Sequence, residues 1–263
     1  MEVTYDSIPT PRRSDLYKDE IWENNPTAIS TPRLIFSQTN NPNQVSEEDS
    51  KTMDTETESE DYQTYDFVRS LPVCPAVQRL LPFQTRKSKP KTLVLDLDET
   101  LVHSEITPVP NADQKIAIQF NNATFEVFVK YRPGLKPFLE EVAQMFEIVL
   151  FTASHKAYAE EVLKKLDPHK RLIRHRLFRE ACVEWQDSYI KDLRVLGRDL
   201  SQVIILDNSV QAFAYHLENG IPIKSWFNEP KDQELERTLT FLRQLLQVED
   251  VRPVLKEHFK LLG

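Results

Sequence analysis

The sequence TLVLDLDET, residues 92–100, decides the fold. Its first four residues form a short apolar run, which is typical of a strand buried on both faces of a parallel sheet. Two carboxylates, Asp96 and Asp98, follow at the point where that strand ends. In open α/β sheets, ligands bind beyond the carboxyl ends of the strands. The stretch therefore predicts a buried strand that leads directly into a site with two acidic side chains.

The sequence after this strand alternates between apolar runs and amphipathic segments. Ile116 to Phe120 and Thr124 to Lys130 predict a hairpin, while Glu147 to Thr152 and Val203 to Leu206 predict further buried strands. Apolar residues at helical spacing predict three helices, with the stripes Leu135, Phe138, Leu139, Val142, Phe146; Tyr158, Val162, Leu163, Leu166; and Leu235, Leu239, Leu242, Leu246. We therefore expect an α/β fold with a doubly wound parallel sheet, a small β insert and no large cap.

The charge and composition divide the chain of 263 residues into two parts. The formal net charge is −8, and residues 46–66 alone hold nine acids and one base, so the acidity belongs to one segment. Residues 1–89 contain eight prolines and no glycine, and we predict a largely disordered tail rich in Pro, Ser and Thr. Residues 90–263 form the predicted folded domain. Leu34 to Phe36 and the stretch from Phe67 to Phe83 are expected to dock on it.

Composition also excludes several classes of protein. An acidic balance argues against a protein that coats nucleic acid. Cys74 and Cys182 are too few for a disulfide framework, and neither begins the Cys-x5-Arg loop of cysteine-based phosphatases. The first residues contain no apolar stretch suited to a signal peptide, and no apolar run approaches the length that a bilayer requires, so we expect neither a signal peptide nor a membrane span. We expect a soluble, intracellular monomer that binds neither nucleic acid nor membranes directly.

Polar residues at the predicted strand ends suit the chemistry of phosphoryl groups. Thr152 ends the second buried strand, Lys191 follows later, and Asp207 and Asn208 end the last strand. Hard oxygen ligands suit Mg²⁺, while a lysine and a hydroxyl suit a phosphoryl group. Each residue alone has a structural explanation, such as a helix cap, a surface charge or a turn. Their combination favours a functional site.

These motifs resemble the small C-terminal-domain phosphatases of the haloacid dehalogenase superfamily, which act on the tail of RNA polymerase II and on other phosphoproteins. The likeness runs from about residue 91 to residue 260 and is closest to the small-phosphatase-like-2 group. It implies a haloacid dehalogenase-like Rossmannoid fold. The stretches that carry it are LVLDLDETLVHS (93–104), FTAS (151–154), RLFRE (176–180), YIKDL (189–193), LGRDL (196–200) and ILDNS (205–209).

The resemblance implies a role for each motif. Asp96 would be the nucleophile that forms an aspartyl-phosphate, and Asp98 the general acid and base. Thr152 and Lys191 would hold the phosphate oxygens, and Arg179 is a candidate for substrate contact, with a surface ion pair to Glu180 as the alternative. The implied cofactor is Mg²⁺, held by Asp96, the backbone carbonyl of Asp98, Asn208 and, close by, Asp207.

Other residues near these motifs receive plainer interpretations. We expect Glu99 to be solvated and His103 to be structural. His155 follows FTAS, where the family often has an apolar residue, so proline-directed specificity stays open.

The predicted function is that of a Mg²⁺-dependent protein serine/threonine phosphatase, a phosphoric monoester hydrolase whose substrate is the RNA polymerase II tail or another phosphoprotein. Only twenty-seven residues, Ser104 to Lys130, precede the Arg132-Pro133-Gly134 turn, too few for the large lid of many metabolite phosphatases. The alternatives are a phosphatase for small metabolites and an inactive phosphopeptide-binding homologue. A signalling receiver module is disfavoured by the order of the motifs. The resemblance slightly favours the nucleus over the cytoplasm.

Overall fold

The computed structural model describes residues 64–73, 76–120 and 123–261. Most of the predicted acidic tail, including the Leu34 to Phe36 island, lies outside the described residues. In addition to a helical segment at 64–70, the regular elements are β1 (Thr92–Leu95), β2 (Val102–Glu105), β3 (Gln114–Phe120), β4 (Ala123–Tyr131), α1 (Leu135–Met145), β5 (Glu147–Phe151), α2 (Lys156–Leu166), β6 (His175–Leu177), β7 (Val183–Trp185), β8 (Ser188–Ile190), β9 (Val203–Asp207), β10 (Gly220–Pro222), α3 (Glu234–Leu245) and α4 (Val251–Phe259).

A parallel sheet with the strand order β10-β9-β1-β5-β6 forms the centre of the fold. Strand β1 lies in the middle, where Leu95 pairs with Leu150 of β5 and with Leu206 of β9. All four residues of β1 are buried, as are all five of β5 and of β9. The carboxyl ends of these three strands therefore meet at one edge of the sheet.

Each face of the sheet is covered by its own hydrophobic cluster. Leu93 and Leu95 of β1 point into the first cluster, which contains apolar residues from all four helices α1 to α4. Val94 points into the second, beneath 3-10 segments at Leu193–Leu196 and Val210–Asn219. The predicted α/β fold with a doubly covered parallel sheet is confirmed. The second face is closed by 3-10 turns and extended chain, and its cluster contains no residue of α1 to α4.

The insert after β1 is a small antiparallel sheet with the order β2-β4-β3. The hairpin predicted around residues 121–122 is confirmed, because Phe120 pairs with Ala123 in the backbone register. Ile118 and Val127 of this hairpin are buried in the first cluster. Between β1 and α1 the described residues contain this sheet and its connecting loops, so the predicted small β insert is confirmed.

The β7–β8 hairpin has a tight turn that the sequence analysis did not anticipate. Trp185 pairs with Ser188, so the loop consists of Gln186 and Asp187. Both residues have a positive φ, 47° and 59°, as a type I′ turn requires. The usual Asn-Gly signal for this turn is missing, which explains why the hairpin escaped prediction.

An upstream segment, residues 64–73 and 76–83, packs on the second face of the sheet. Phe67 is buried with Ile190 and Ala214, and Leu81 is buried in the second cluster. The backbone N–H of Leu80 donates a hydrogen bond of 2.7 Å to the carbonyl of Val195. The predicted docking is thus observed for the described residues of the Phe67 to Phe83 stretch, and Phe83 itself stays exposed. The boundary at residue 90 remains a prediction, with packed residues on both sides of it.

None of the helices in the described part of the chain has the length and apolarity needed to cross a bilayer.

We predict that Leu81→Ala lowers the free energy of unfolding by about 2–4 kcal/mol, since the substitution removes buried methyl groups and leaves a cavity. The matched control is Val73→Ala in the same segment, because Val73 is 96% exposed. It should change stability by less than about 0.5 kcal/mol. Urea unfolding followed by tryptophan fluorescence measures both. Equal effects of the two substitutions would show that the upstream segment does not contribute to the fold.

Candidate active site

Backbone hydrogen bonds hold the predicted site residues at the carboxyl edge of the sheet. The N–H of Asp96 donates to the carbonyl of Leu206 at 3.0 Å, which continues the pairing of β1 with β9 by one residue. The N–H of Thr152 donates to the carbonyl of Leu177 at 3.0 Å, one residue beyond β5. Asp207 is the last residue of β9. Three of the predicted site residues are therefore positioned by the sheet itself.

Lys191 joins two of the carboxylates in the buried interior. Its Nζ lies 2.5 Å from Oδ1 of Asp96 and 2.5 Å from Oδ2 of Asp207. The three side chains are at most 4% exposed. Burial alone would lower the pKa of Lys191, but the two carboxylates outweigh it and raise that pKa above its usual value. The lysine therefore carries a full positive charge in the centre of the site.

Asp98 accepts a hydrogen bond at each of its carboxyl oxygens. The hydroxyl of Ser154 donates to Oδ2 at 2.5 Å, and the hydroxyl of Tyr158 donates to Oδ1 at 2.6 Å. Burial, with the nearby charges of Glu99 and Asp96, raises the pKa of Asp98 to about 7, although the two hydroxyls partly oppose the shift. A carboxyl with such a pKa can hold a proton near neutral pH and also release it.

Glu99 corrects one expectation from the sequence. It was expected to be solvated, but the residue is only 3% exposed and adopts a left-handed backbone conformation with φ 56°. Burial, with the charge of Asp96, raises the pKa of Glu99 to about 8. Nδ1 of His103 lies 3.3 Å from its Oε1, and its buried Oε2 has no hydrogen-bond partner among the described residues. The wrong expectation followed from the general exposure of glutamates in loops.

Asn208 lies between the first motif and the loop after β10. The hydroxyl of Thr100 donates to its Oδ1 at 3.3 Å, and its Nδ2 donates to the hydroxyl of Ser225 at 3.0 Å. The neighbouring Asp207 accepts at Oδ1 from the N–H of Ser209 at 2.9 Å. Burial raises the pKa of Asp207, even though Lys191 opposes that shift. The amide oxygen of Asn208 is thus oriented toward the Asp96–Thr100 stretch.

The loop after β5 brings a hydroxyl and a guanidinium to the same region. Oγ1 of Thr152 accepts a hydrogen bond from the N–H of Ser154 at 3.0 Å, so the threonine proton can be donated elsewhere. Nε of Arg179 donates to the carbonyl of Ala153 at 2.6 Å, and its guanidinium lies 5.0 Å from the ring centre of Tyr189. Arg179 is thereby held against the residue that follows Thr152, which is compatible with the predicted substrate contact.

The side chain of His155 caps the next helix. Its Nδ1 accepts from the N–H of Ala157 at 3.3 Å at the start of α2. Burial and the charge of Arg179 lower the pKa of His155. The departure from the family pattern thus places a neutral helix cap at this position.

The donor types at this edge fit a hard divalent cation. Among the described residues, no three His, Cys, Asp or Glu side chains form a metal-binding group by themselves. The predicted ligand set differs, because it includes a backbone carbonyl and the amide oxygen of Asn208. The pKa of Asp98, of Glu99 and of Asp207 is raised, first by burial and then by the charge of Asp96 or Glu99 nearby. In the part of the chain that the structure describes, Lys191 is the cation in contact with this group, so carboxyls are in excess. A divalent cation bound to oxygen donors would remove that excess.

The site therefore brings an aspartate at the end of the central strand into contact with a lysine, and it places a threonine and a second aspartate at the same edge of the sheet. Comparison with known proteins identifies the family. The family model described as "NLI interacting factor-like phosphatase" matches residues 91–252, and the chain belongs to that family. The resemblance to C-terminal-domain small phosphatases is confirmed, while the narrower likeness to the small-phosphatase-like-2 group stays a prediction.

Three relatives illustrate the similarity. The chain is 50% identical to CTD small phosphatase-like protein 3 of Caenorhabditis elegans, over 72% of this chain and 64% of that protein. It is 46% identical to CTD small phosphatase-like protein 2 of Dictyostelium discoideum, over 69% of this chain and 32% of that protein. It is 44% identical to the human carboxy-terminal domain RNA polymerase II polypeptide A small phosphatase 1, over 72% of each. The chain therefore spans less than two thirds of the first two relatives, and all three are named as phosphatases.

We predict that Lys191→Met lowers the free energy of unfolding by about 3–5 kcal/mol, because it leaves two carboxylates buried without their cation. Lys115→Met is the matched control, since Lys115 forms an exposed ion pair with Glu126 at 2.9 Å. That pair should contribute less than about 1 kcal/mol. Chemical denaturation in EDTA at pH 7.5 compares the two. If Lys191→Met lowered the free energy of unfolding no more than Lys115→Met does, the lysine would not be the counter-charge of the site.

Proposed function

We propose that this chain is a Mg²⁺-dependent protein serine/threonine phosphatase that acts through an aspartyl-phosphate. The observation that carries the proposal is the arrangement of two aspartates with different environments. Asp96 is ion-paired to Lys191, and Asp98 is buried between two hydroxyls with a pKa raised to about 7. One carboxyl is thereby suited to attack as an anion and the other to donate a proton.

In the first step, a carboxylate oxygen of Asp96 attacks the phosphorus of the substrate. A new bond joins Asp96 to phosphorus, and the bond from phosphorus to the serine or threonine oxygen breaks. Asp98 gives its proton to that departing oxygen, which leaves as a neutral hydroxyl. Asp98 is then ionised.

In the second step, Asp98 accepts a proton from a water molecule while the water oxygen attacks the phosphorus. The bond between phosphorus and Asp96 breaks, which returns Asp96 as a carboxylate and releases inorganic phosphate. Asp98 regains its proton, so both aspartates end the cycle as they began it. Because one residue performs both proton transfers, its position relative to Asp96 is decisive.

Lys191 and Thr152 would hold the non-bridging oxygens during both steps. An ammonium group carries three N–H donors, and two of those of Lys191 contact Asp96 and Asp207, so a third can reach a phosphate oxygen. Positioning and charge stabilisation are most of what phosphoryl transfer requires. Mg²⁺ would be held by Asp96, the carbonyl of Asp98 and Asn208, with Asp207 nearby, and would supply positive charge against the repulsion between nucleophile and phosphate.

Phosphoserine or phosphothreonine in a protein is the substrate class that we propose. The short insert of β2, β3 and β4 supports it, because many metabolite phosphatases carry a large lid that this stretch cannot form. The human relative is named for the carboxy-terminal domain of RNA polymerase II, which makes that tail a candidate substrate and favours the nucleus. We further propose that the protein is an intracellular monomer without direct contact to nucleic acid.

We predict that Asp96→Asn lowers turnover of p-nitrophenyl phosphate and of phosphoserine peptides by roughly 10³-fold or more, since the amide cannot form the aspartyl-phosphate. Asp187→Asn is the matched control, because Asp187 lies in the exposed turn between β7 and β8. It should leave kcat/KM unchanged. Rapid quench with labelled substrate should detect a phosphoenzyme in the wild type and in Asp187→Asn. Activity retained in Asp96→Asn would refute the mechanism.

We predict that MgCl2 raises the Tm of the wild-type protein, because a ligand that binds only the native state stabilises that state. At a Mg²⁺ concentration of about a hundred times Kd, the free energy of unfolding should rise by about 2.7 kcal/mol. Asn208→Ala should reduce this Mg²⁺-dependent shift. Asn228→Ala, in which the lost amide pairs with Lys130, should retain it. Differential scanning calorimetry with and without Mg²⁺ measures the shifts. An unchanged shift in Asn208→Ala would exclude Asn208 as a ligand.

A further inference from the structure

We propose that Tyr158 and Ser154 are positioning residues that aim Asp98, the proposed general acid, at the leaving oxygen of the substrate. The inference rests on the proposed function and adds two residues to its machinery. Its basis is that both carboxyl oxygens of Asp98 accept hydrogen bonds from hydroxyls of the short stretch that follows Thr152.

The two hydroxyls are themselves fixed by the surrounding structure. Ser154 lies in the loop between β5 and α2, and Tyr158 lies in the first turn of α2, four residues later. Both are fully buried. The hydroxyl of Tyr158 also forms a hydrogen bond of 2.6 Å with the hydroxyl of Ser104 in β2. The carboxyl of Asp98 is thus held by contacts from the loop after β5, from α2 and, through Tyr158, from the insert.

Hydrogen bonds to both oxygens of Asp98 restrict its carboxyl group more than a single hydrogen bond would. A carboxyl bound at one oxygen can still turn about its Cβ–Cγ bond, whereas one bound at both oxygens keeps a single plane. Each carboxyl oxygen has two acceptor sites, so a hydroxyl can occupy one and leave the other facing the substrate. General acid catalysis requires the donor to lie within hydrogen-bond distance of the leaving oxygen. Ser154 and Tyr158 fix the orientation of the donor for this purpose before any substrate binds.

The same stretch also carries Thr152, the proposed phosphate ligand. The N–H of Ser154 donates to Oγ1 of Thr152 at 3.0 Å, while its hydroxyl donates to Asp98. One residue therefore links the proposed phosphate site to the proposed acid. The distance between the phosphoryl group and the proton donor would be set by this loop as well as by β1.

The experiment compares substrates that differ in their need for a proton. The nitrophenolate of p-nitrophenyl phosphate leaves without protonation, whereas the serine oxygen of a phosphopeptide needs a proton in order to leave. A misplaced general acid should therefore slow hydrolysis of the phosphopeptide selectively. We expect Tyr158→Phe and Ser154→Ala each to lower kcat/KM for a phosphoserine peptide by about 10- to 100-fold, and for p-nitrophenyl phosphate by less than about threefold. Tyr131→Phe is the matched control, since that hydroxyl contacts Gln114 in the hairpin, and should affect neither substrate.

A double-mutant cycle tests whether Tyr158 acts through Asp98. In an Asp98→Asn background, measured on phenyl phosphate, Tyr158→Phe should cause no further loss, because the proton donor is already missing. Equal losses on both substrates in Tyr158→Phe and Ser154→Ala, or a full additional loss in the Asp98→Asn background, would overturn the positioning role and leave the proposed function intact. A wild-type protein that hydrolyses neither substrate would instead overturn the proposed function, and this inference with it.

Discussion

The buried ammonium of Lys191 between Asp96 and Asp207 is the interaction on which the site depends. It connects the end of β1 to the end of β9 in a place where the three side chains are almost completely removed from water. In such an environment an uncompensated carboxylate is costly, and each contact of the lysine reduces that cost. The lysine reaches this position because its own N–H donates to the carbonyl of Ala212 at 2.6 Å, which anchors the end of β8 against the second face of the sheet.

One lysine does not neutralise all of the carboxyls at this edge of the sheet, and the carboxyls therefore differ in their surroundings. Asp96 lies against the lysine, while Asp98 is compensated only by hydroxyls and has its pKa raised to about 7. Glu99, likewise buried, has its pKa raised to about 8. Asp96 and Asp98 therefore differ in their partners, because a buried ammonium contacts the first and two hydroxyls contact the second. The same excess of negative charge makes the edge of the sheet attractive to Mg²⁺.

The sequence was sufficient to predict the three central strands of the sheet, because the runs 92–95, 147–151 and 203–206 are mostly apolar and each is followed by a polar residue. The edge strands β6 and β10, of three residues each, escaped prediction. The sequence also indicated which polar residues would meet, since parallel strands share an edge. It could not predict that Tyr158, a member of an ordinary apolar helical stripe, would donate to Asp98. Nor could it reveal the burial of Glu99, which depends on a left-handed backbone conformation. Periodicity reports which face of an element is buried, but not which polar atom that face contacts.

The upstream segment supports the lysine from outside the motifs. Phe67 packs on Ile190, the residue before Lys191, and Leu81 shares the second cluster with Leu193 and Leu196, which follow it. The carbonyl of Pro82 accepts from Nη1 of Arg198 at 2.9 Å, so the contact continues along the same stretch. On this face the sheet is covered by 3-10 segments, whose hydrogen-bond geometry is poorer than that of an α-helix. The stretch that carries Lys191 is therefore held in part by packing, and the upstream segment supplies some of that packing even though it contributes no catalytic group.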